Sequence, residues 1–255
     1  MGIIDHPAWF FVLLFVVFLV VVELGFQLRL RTSVDSDEKL HDQIAGTRDS
    51  IVVLLSLLLG FLLPLSLTRF DQRRQLGIEE ALAIGTTNLR AQMLPEPART
   101  RTRGLMREYV DARLQFFEAG LRPERLRAAN LHSKQLQNQL WEQSVPAAQA
   151  SPTPITALFV QSLNQMIDLS EESLAALEYR IPAVIWLVLL FISLLACLTV
   201  GCSLRRRSVL STVVAPLMIA MVFALIADLD SPRHGLIRAG QESMERLQSE
   251  LKVAP

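Results

Sequence analysis

Few residues in this chain are of the types and spacings that do chemistry. The four histidines, His6, His41, His132 and His234, stand far apart with no H-x-x-x-H pair, and no G-x-S-x-G, Walker or dinucleotide loop occurs. Glu79 and Glu80 are adjacent, so on a helix they point about 100° apart rather than as a facing acid/base pair. Both read as surface charges. Cys197 and Cys202, the two cysteines, lie five positions apart in or beside an apolar run, which matches neither a disulfide framework nor a zinc spacing. They read as structural. The chain therefore reads as no enzyme, with no cofactor to bind unless it holds a cation. The acids that raise that question are Asp228 and Asp230, in ADLDSPRHG. Carboxylates at the C-terminal end of an apolar helix oppose its macrodipole and need compensation. A bound metal ion, an arginine, or a role for Asp230 or Ser231 in capping a following helix would each supply it. Glu23 lies close enough to the end of its own apolar run to snorkel to the interface.

The elements that carry these residues are membrane helices. Of 255 residues 51% are hydrophobic and only 20% charged, above the apolar share and below the charged share of soluble domains. Twenty-five basic residues balance 25 acidic ones, so no positive field is present to hold nucleic acid. Four runs are long or apolar enough to cross roughly 30 Å of hydrocarbon: 8–28, 51–67, 181–204 and 211–227. MGIIDHPAW has no basic n-region and the first run is too long for a cleaved signal, so an uncleaved anchor is expected. Residues 1–67 and 181–229 form two transmembrane hairpins. Between them, 68–180 is a charged segment with helical periodicity, an extramembrane insert. Leu76, Ala83, Leu89 and Met93 are expected near one stripe, and Pro95 and Pro97 separate that helix from the next. A further helix is expected over 123–141, then a loop at VPAAQASPTP, then a helix from Ile155. Residues 230–255 read as an amphipathic tail helix opened by Ser231 and Pro232 and carrying Leu236, Met244 and Leu247. No stretch alternates as strand. The fold class is an all-α membrane protein.

The second span holds the densest cluster of unusual features. Val53, Leu57 and Phe61 recur at steps of four and make a narrow bulky stripe, with Ser56 and Gly60 as an adjacent small-residue face able to approach a neighbouring helix. Continuing the steps reaches Leu65, Arg69 and Arg73, which rotation carries off the stripe unless Pro64 bends the helix. A lipid-facing helix with arginines at the headgroups fits the same residues.

In these residues the chain resembles the bestrophins, pentameric anion channels, and more closely the bacterial bestrophin-like membrane proteins. The resemblance rests on Leu59-Gly60-Phe61 followed by Arg69-Phe70 and on the acidic segment Asp228 to Pro232 with Gly235. It rests also on Glu80-Ala81-Leu82-Ala83-Ile84-Gly85-Thr86 and on Arg180-Ile181-Pro182. The motif match is local, whereas the helix order covers most of the chain. Pro64, and Asp71 in place of a second aromatic, depart from the pattern. The resemblance implies four spans and a helical insert, with a homo-oligomer, a pentamer, that conducts small inorganic ions, anions by analogy. Val53, Leu57 and Phe61 would line a hydrophobic neck, Arg69 and Arg73 a pore mouth, and Asp228 and Asp230 a loose counterpart of the animal family's calcium cluster. Insert residues such as Leu114, Phe116 and Phe117 would supply intersubunit contacts. The rival expectation is a non-conducting scaffold or sensor whose insert binds a partner. The basic residues flanking the spans are nearly tied between the two sides, slightly favouring a periplasmic insert. The resemblance instead places the insert in the cytoplasm of a multi-pass inner-membrane protein.

Overall fold

The structure, a computed structural model, describes residues 7–31, 38–120, 122–150, 152–204, 209–231 and 241–253. Among these every regular element is a helix: α1 Pro7–Arg31, α2 Glu38–Ala91, α3 Ala98–Glu118, α4 Pro123–Ala150, α5 Pro154–Glu178, α6 Ala183–Ser203, α7 Val209–Asp230 and α8 Glu242–Val253. Four stretches have windows long and apolar enough to cross a membrane, within 8–31, 42–91, 154–203 and 212–230. The chain divides into two compact units: 1–69 with 180–237, and 70–179 with 238–255.

The membrane unit is built on α1, which packs along α6 and α7. Phe10, Leu14, Phe18 and Val22 recur at steps of four and are all buried. Phe18 meets Phe223 edge-on with ring centroids 6.0 Å apart, and Trp186 bridges Phe223 and Phe10 at 6.0 and 6.1 Å. Further along, Gly25 of α1 and Gly201 of α6 let the two backbones touch: a Cβ at Gly25 would collide with the Leu198 carbonyl, and one at Gly201 with the Val22 carbonyl. Association in lipid gains little from the hydrophobic effect, so this close approach supplies the dispersion contacts that hold the crossing. Cys202 sits in it, its Sγ donating to the Gly25 carbonyl at 3.3 Å, and both cysteines are free thiols.

The insert unit has its own core. Along α3, Thr102, Met106, Tyr109, Val110, Arg113 and Phe116 form one buried helical face. It packs with Leu136 and Leu140 of α4, Phe159, Leu163 and Met166 of α5, and Ile84 and Ala91 of α2. Thr153 opens α5 with a capping box to Thr156, and Pro154 occupies the first turn. The C-terminal helix closes the core, with Met244, Leu247 and Leu251 buried in it. Gln248 donates to Asp111 Oδ1 at 2.6 Å, and Arg107 Nε to the Leu251 carbonyl at 2.9 Å. Gly85 leaves room for Leu247, whose Cδ1 would stand 3.4 Å from a Cβ at that position.

Several expectations change. The second span is no isolated helix: α2 runs through Pro64 for 54 residues. The expected loop VPAAQASPTP continues α4 through Pro146 to Ala150, because its alanines favour helix and a single missing N–H costs one bond. Leu76, Ala83, Leu89 and Met93 share no buried stripe; Leu89 and Met93 are exposed while Ala83 is buried. Leu114 and Phe116 are buried inside their own chain and Phe117 is partly buried against the same core, so they offer little to a neighbouring subunit. Pro232 and Leu236, expected in the tail helix, lie outside the described residues.

Candidate pore element

The neck candidates stand on α2, which in the membrane unit has two faces of one material. Leu55, Leu59, Leu62 and Ser66 recur at steps of three and four and are buried against the unit's core. Opposite them Val53, Leu57 and Phe61 are 67, 54 and 69% exposed. A Cβ at Gly60 would meet nothing within 4 Å, so the small-residue face is equally open. Ser56 satisfies its hydroxyl on the Val52 carbonyl at 2.8 Å, as a helix requires where water is scarce.

Arg69, beyond the neck, turns away from that face. On a helix of 3.6 residues per turn Arg69 lies about 160° from Val53. Its Nη1 approaches Asp230 Oδ1 at 3.8 Å. Arg73 is buried at 8%. Within the membrane unit, the Arg69 guanidinium is directed to Asp230 rather than to the open side of α2.

Asp230 closes the membrane unit. Both its oxygens accept the Ile181 N–H, at 3.1 and 3.3 Å, so the end of α7 is tied to the chain entering α6. The carboxylate that opposes the α7 macrodipole is thereby compensated by the first free amide ahead of α6 and by Arg69. Ser231 follows the end of α7, its N–H bonded to the Ala227 carbonyl at 3.0 Å. Asp228 is also buried. These two acids fit a calcium ion poorly, since Asp230 spends its oxygens on the backbone and an arginine. No group of three or more His, Cys, Asp or Glu that could hold a metal occurs among the described residues.

The functional-looking feature that the residue types hid is in the insert. Glu80, expected at the surface, is fully buried and receives Arg113 Nε in a short contact and Arg113 Nη2 at 2.9 Å, a bidentate pair. The guanidinium lies 4.6 Å from the centroid of the Phe116 ring and 5.2 Å from that of Phe117. Burial is the largest influence and works against its charge, but the Glu80 carboxylate, Tyr109 and Glu171 together outweigh it and hold the Arg113 pKa above its ordinary value. Beside it, Gln137 bonds the Tyr109 hydroxyl at 3.0 Å and Ser170 at 2.6 Å. Burial pushes the Tyr109 phenol up to about 12. The signal was present in the spacing: Glu80, Ile84, Thr87 and Ala91 fall on one helical face, all buried.

Four membrane-length helices with a folded helical insert between the second and third define a multi-pass, all-α membrane protein that contacts the lipid bilayer. The Bestrophin-like domain family model matches residues 12–244, and the chain belongs to the bestrophin-like family. At a coarse level that family is one of ion channels, oligomeric and not enzymatic. No curated protein matches. A solved crystal structure described as a membrane protein with one substitution is similar in fold, with a TM-score of 0.66 at 15% identity, covering 94% of this chain and 99% of the other.

Proposed function

We propose that this protein is an oligomeric ion channel, a pentamer, in which copies of α2 surround a pore whose hydrophobic neck is formed by Val53, Leu57 and Phe61. The observation that carries the reading is the split of α2: leucines buried in the chain's own core on one side, and three bulky residues left open on the other. A constriction lined by such residues dewets when narrow, so small changes in its width gate conduction. Ser56 and Gly60, beside the stripe, permit the close approach of a neighbouring copy. The protein sits in the cell inner membrane with the insert in the cytoplasm. Conduction of anions is what the resemblance implies; with Arg69 paired to Asp230 and Arg73 buried in the single chain, that preference would draw on other residues of the same face.

Phe61→Ala tests this reading. In planar bilayers containing the purified protein it should raise unitary conductance; unchanged conductance would remove Phe61 from the neck. The second reading, a scaffold whose insert binds a partner, is favoured by Leu82, Leu89 and Leu131, which are exposed on the insert at 60 to 65%. A wild type that conducts nothing in the same bilayers would favour it.

A further inference from the structure

Inside the insert core, five buried polar residues join helix to helix. Arg113 of α3 donates to both oxygens of Glu80 on α2, and Tyr109, one turn back on α3, receives Gln137 of α4 at 3.0 Å. The same Gln137 amide reaches Ser170 of α5 at 2.6 Å, so α2, α3, α4 and α5 are linked in sequence across one layer. Other buried hydroxyls of the insert do not read their neighbours. Thr87, Ser133 and Ser162 donate to carbonyls of their own helices at 2.8, 3.0 and 2.8 Å and are satisfied wherever the next helix lies. Arg90 to the Leu158 carbonyl and Lys134 to Glu171 cross between helices, but at the surface, where water can replace them.

We infer that this buried layer is a register lock: it selects one rotation and one axial position of α2 among α3, α4 and α5 while adding little net stability. In the channel reading α2 is the pore helix, which the lock would hold to a single setting in the insert; the lock itself rests on the insert's geometry and not on that reading. Apolar contacts alone select weakly. Ile84, Met106, Leu136, Leu140, Leu163 and Met166 are of similar size, and sliding a helix by one turn, about 5.4 Å, exchanges one such contact for another at modest cost. The same slide of α2 would face Arg113 with Leu76 or Ile84 in place of Glu80 and leave two buried charges without partners. The paired donors of the guanidinium also fix the angle, because they meet both carboxylate oxygens only when the two planes align. Replacing a buried ion pair by apolar residues of similar volume is often neutral or stabilising, so its effect lies in selection, as a lone buried asparagine selects the register of a coiled coil.

The test pairs thermal melting with hydrogen exchange, followed by mass spectrometry, on the purified full-length protein in nanodiscs. Glu80→Leu with Arg113→Met should melt no more than about 4 °C below wild type. Its insert amides on α2 and α3 should nevertheless exchange at least about threefold faster, because several registers are then populated. Tyr109→Phe with Gln137→Leu and Ser170→Ala removes only the bridge to α4 and α5, and should speed exchange there while α2 and α3 stay protected. A folded apolar pair that exchanges less than about threefold faster, or that melts further below wild type than stated, overturns the lock. If that pair fails to assemble by size-exclusion chromatography, the bridge variant decides by the same two criteria applied to α4 and α5. Neither readout needs a current, so a wild type that conducts nothing would remove the channel reading and leave the lock standing or falling on exchange alone.

Discussion

The two parts of α2 present the same helical period in opposite materials. Up to Arg69, in the membrane unit, the buried face is leucine and the open face is valine, leucine and phenylalanine. From Phe70 onward, in the insert unit, the buried face carries Glu80, Thr87 and Asn88 while Leu82, Leu89 and Met93 are open. In lipid both faces of a span are apolar because the surroundings are as apolar as the core, so polarity does not tell inside from outside. In the insert a carboxylate can be as fully buried as any residue on its helix because a bidentate arginine replaces the water it lost. Polarity misleads about burial in both halves, for different physical reasons.

Disrupting the polar half should cost most. Glu80→Gln, or Arg113→Met alone, leaves one buried group without its charged partner and should destabilise the insert by about 3–5 kcal/mol. The paired change Glu80→Leu with Arg113→Met should recover much of that loss. Thermal unfolding of the detergent-solubilised protein by circular dichroism checks both, and a single variant as stable as wild type would sink the assignment of the pair. Tyr109 gives a smaller, pH-dependent effect. Its folded-state value of about 12 lies above the ordinary 10, so the buried phenol contributes stability fully present below pH 10 and lost as pH rises towards 12. Two units correspond to about 2–3 kcal/mol at most, and Tyr109→Phe should flatten the alkaline limb of a stability-against-pH curve.

The membrane half should respond to shape rather than charge. Gly201→Val pushes a branched side chain into the Val22 carbonyl and should destabilise the α1–α6 crossing by about 1–3 kcal/mol; an unchanged melting temperature would show that the backbones do not touch. Phe61→Ala should change stability least, within about 0.5 kcal/mol, because the ring is 69% exposed in the single chain. Its effect should appear in conductance instead.

The spans and the insert were legible because runs of apolar residues and helical periodicity are local signals. α6 and α7 lie within three residues of where the apolar runs placed them. Helix ends at proline were legible only in part: Pro95 and Pro97 do lie between α2 and α3, whereas Pro64 and Pro146 sit inside helices, since neighbouring residues decide whether the lost hydrogen bond ends the helix. The open stripe at Val53, Leu57 and Phe61 could be read from spacing, but which side of α2 faces its own core could not, because Leu55, Leu59 and Leu62 are just as apolar. The Asp230 tie to Ile181 joins positions 49 apart in sequence, and the Glu80–Arg113 pair positions 33 apart. Such pairings are set by how helices pack and leave no mark on local periodicity.

The measurement that bears most directly on the central claim is a projection or reconstruction of the purified particle in nanodiscs that counts subunits and locates α2. Five copies around an axial opening, with Val53, Leu57 and Phe61 facing the axis and Leu55, Leu59 and Leu62 turned into each subunit, is the predicted result. A monomer or dimer, or a ring in which Phe61 faces lipid, would contradict it.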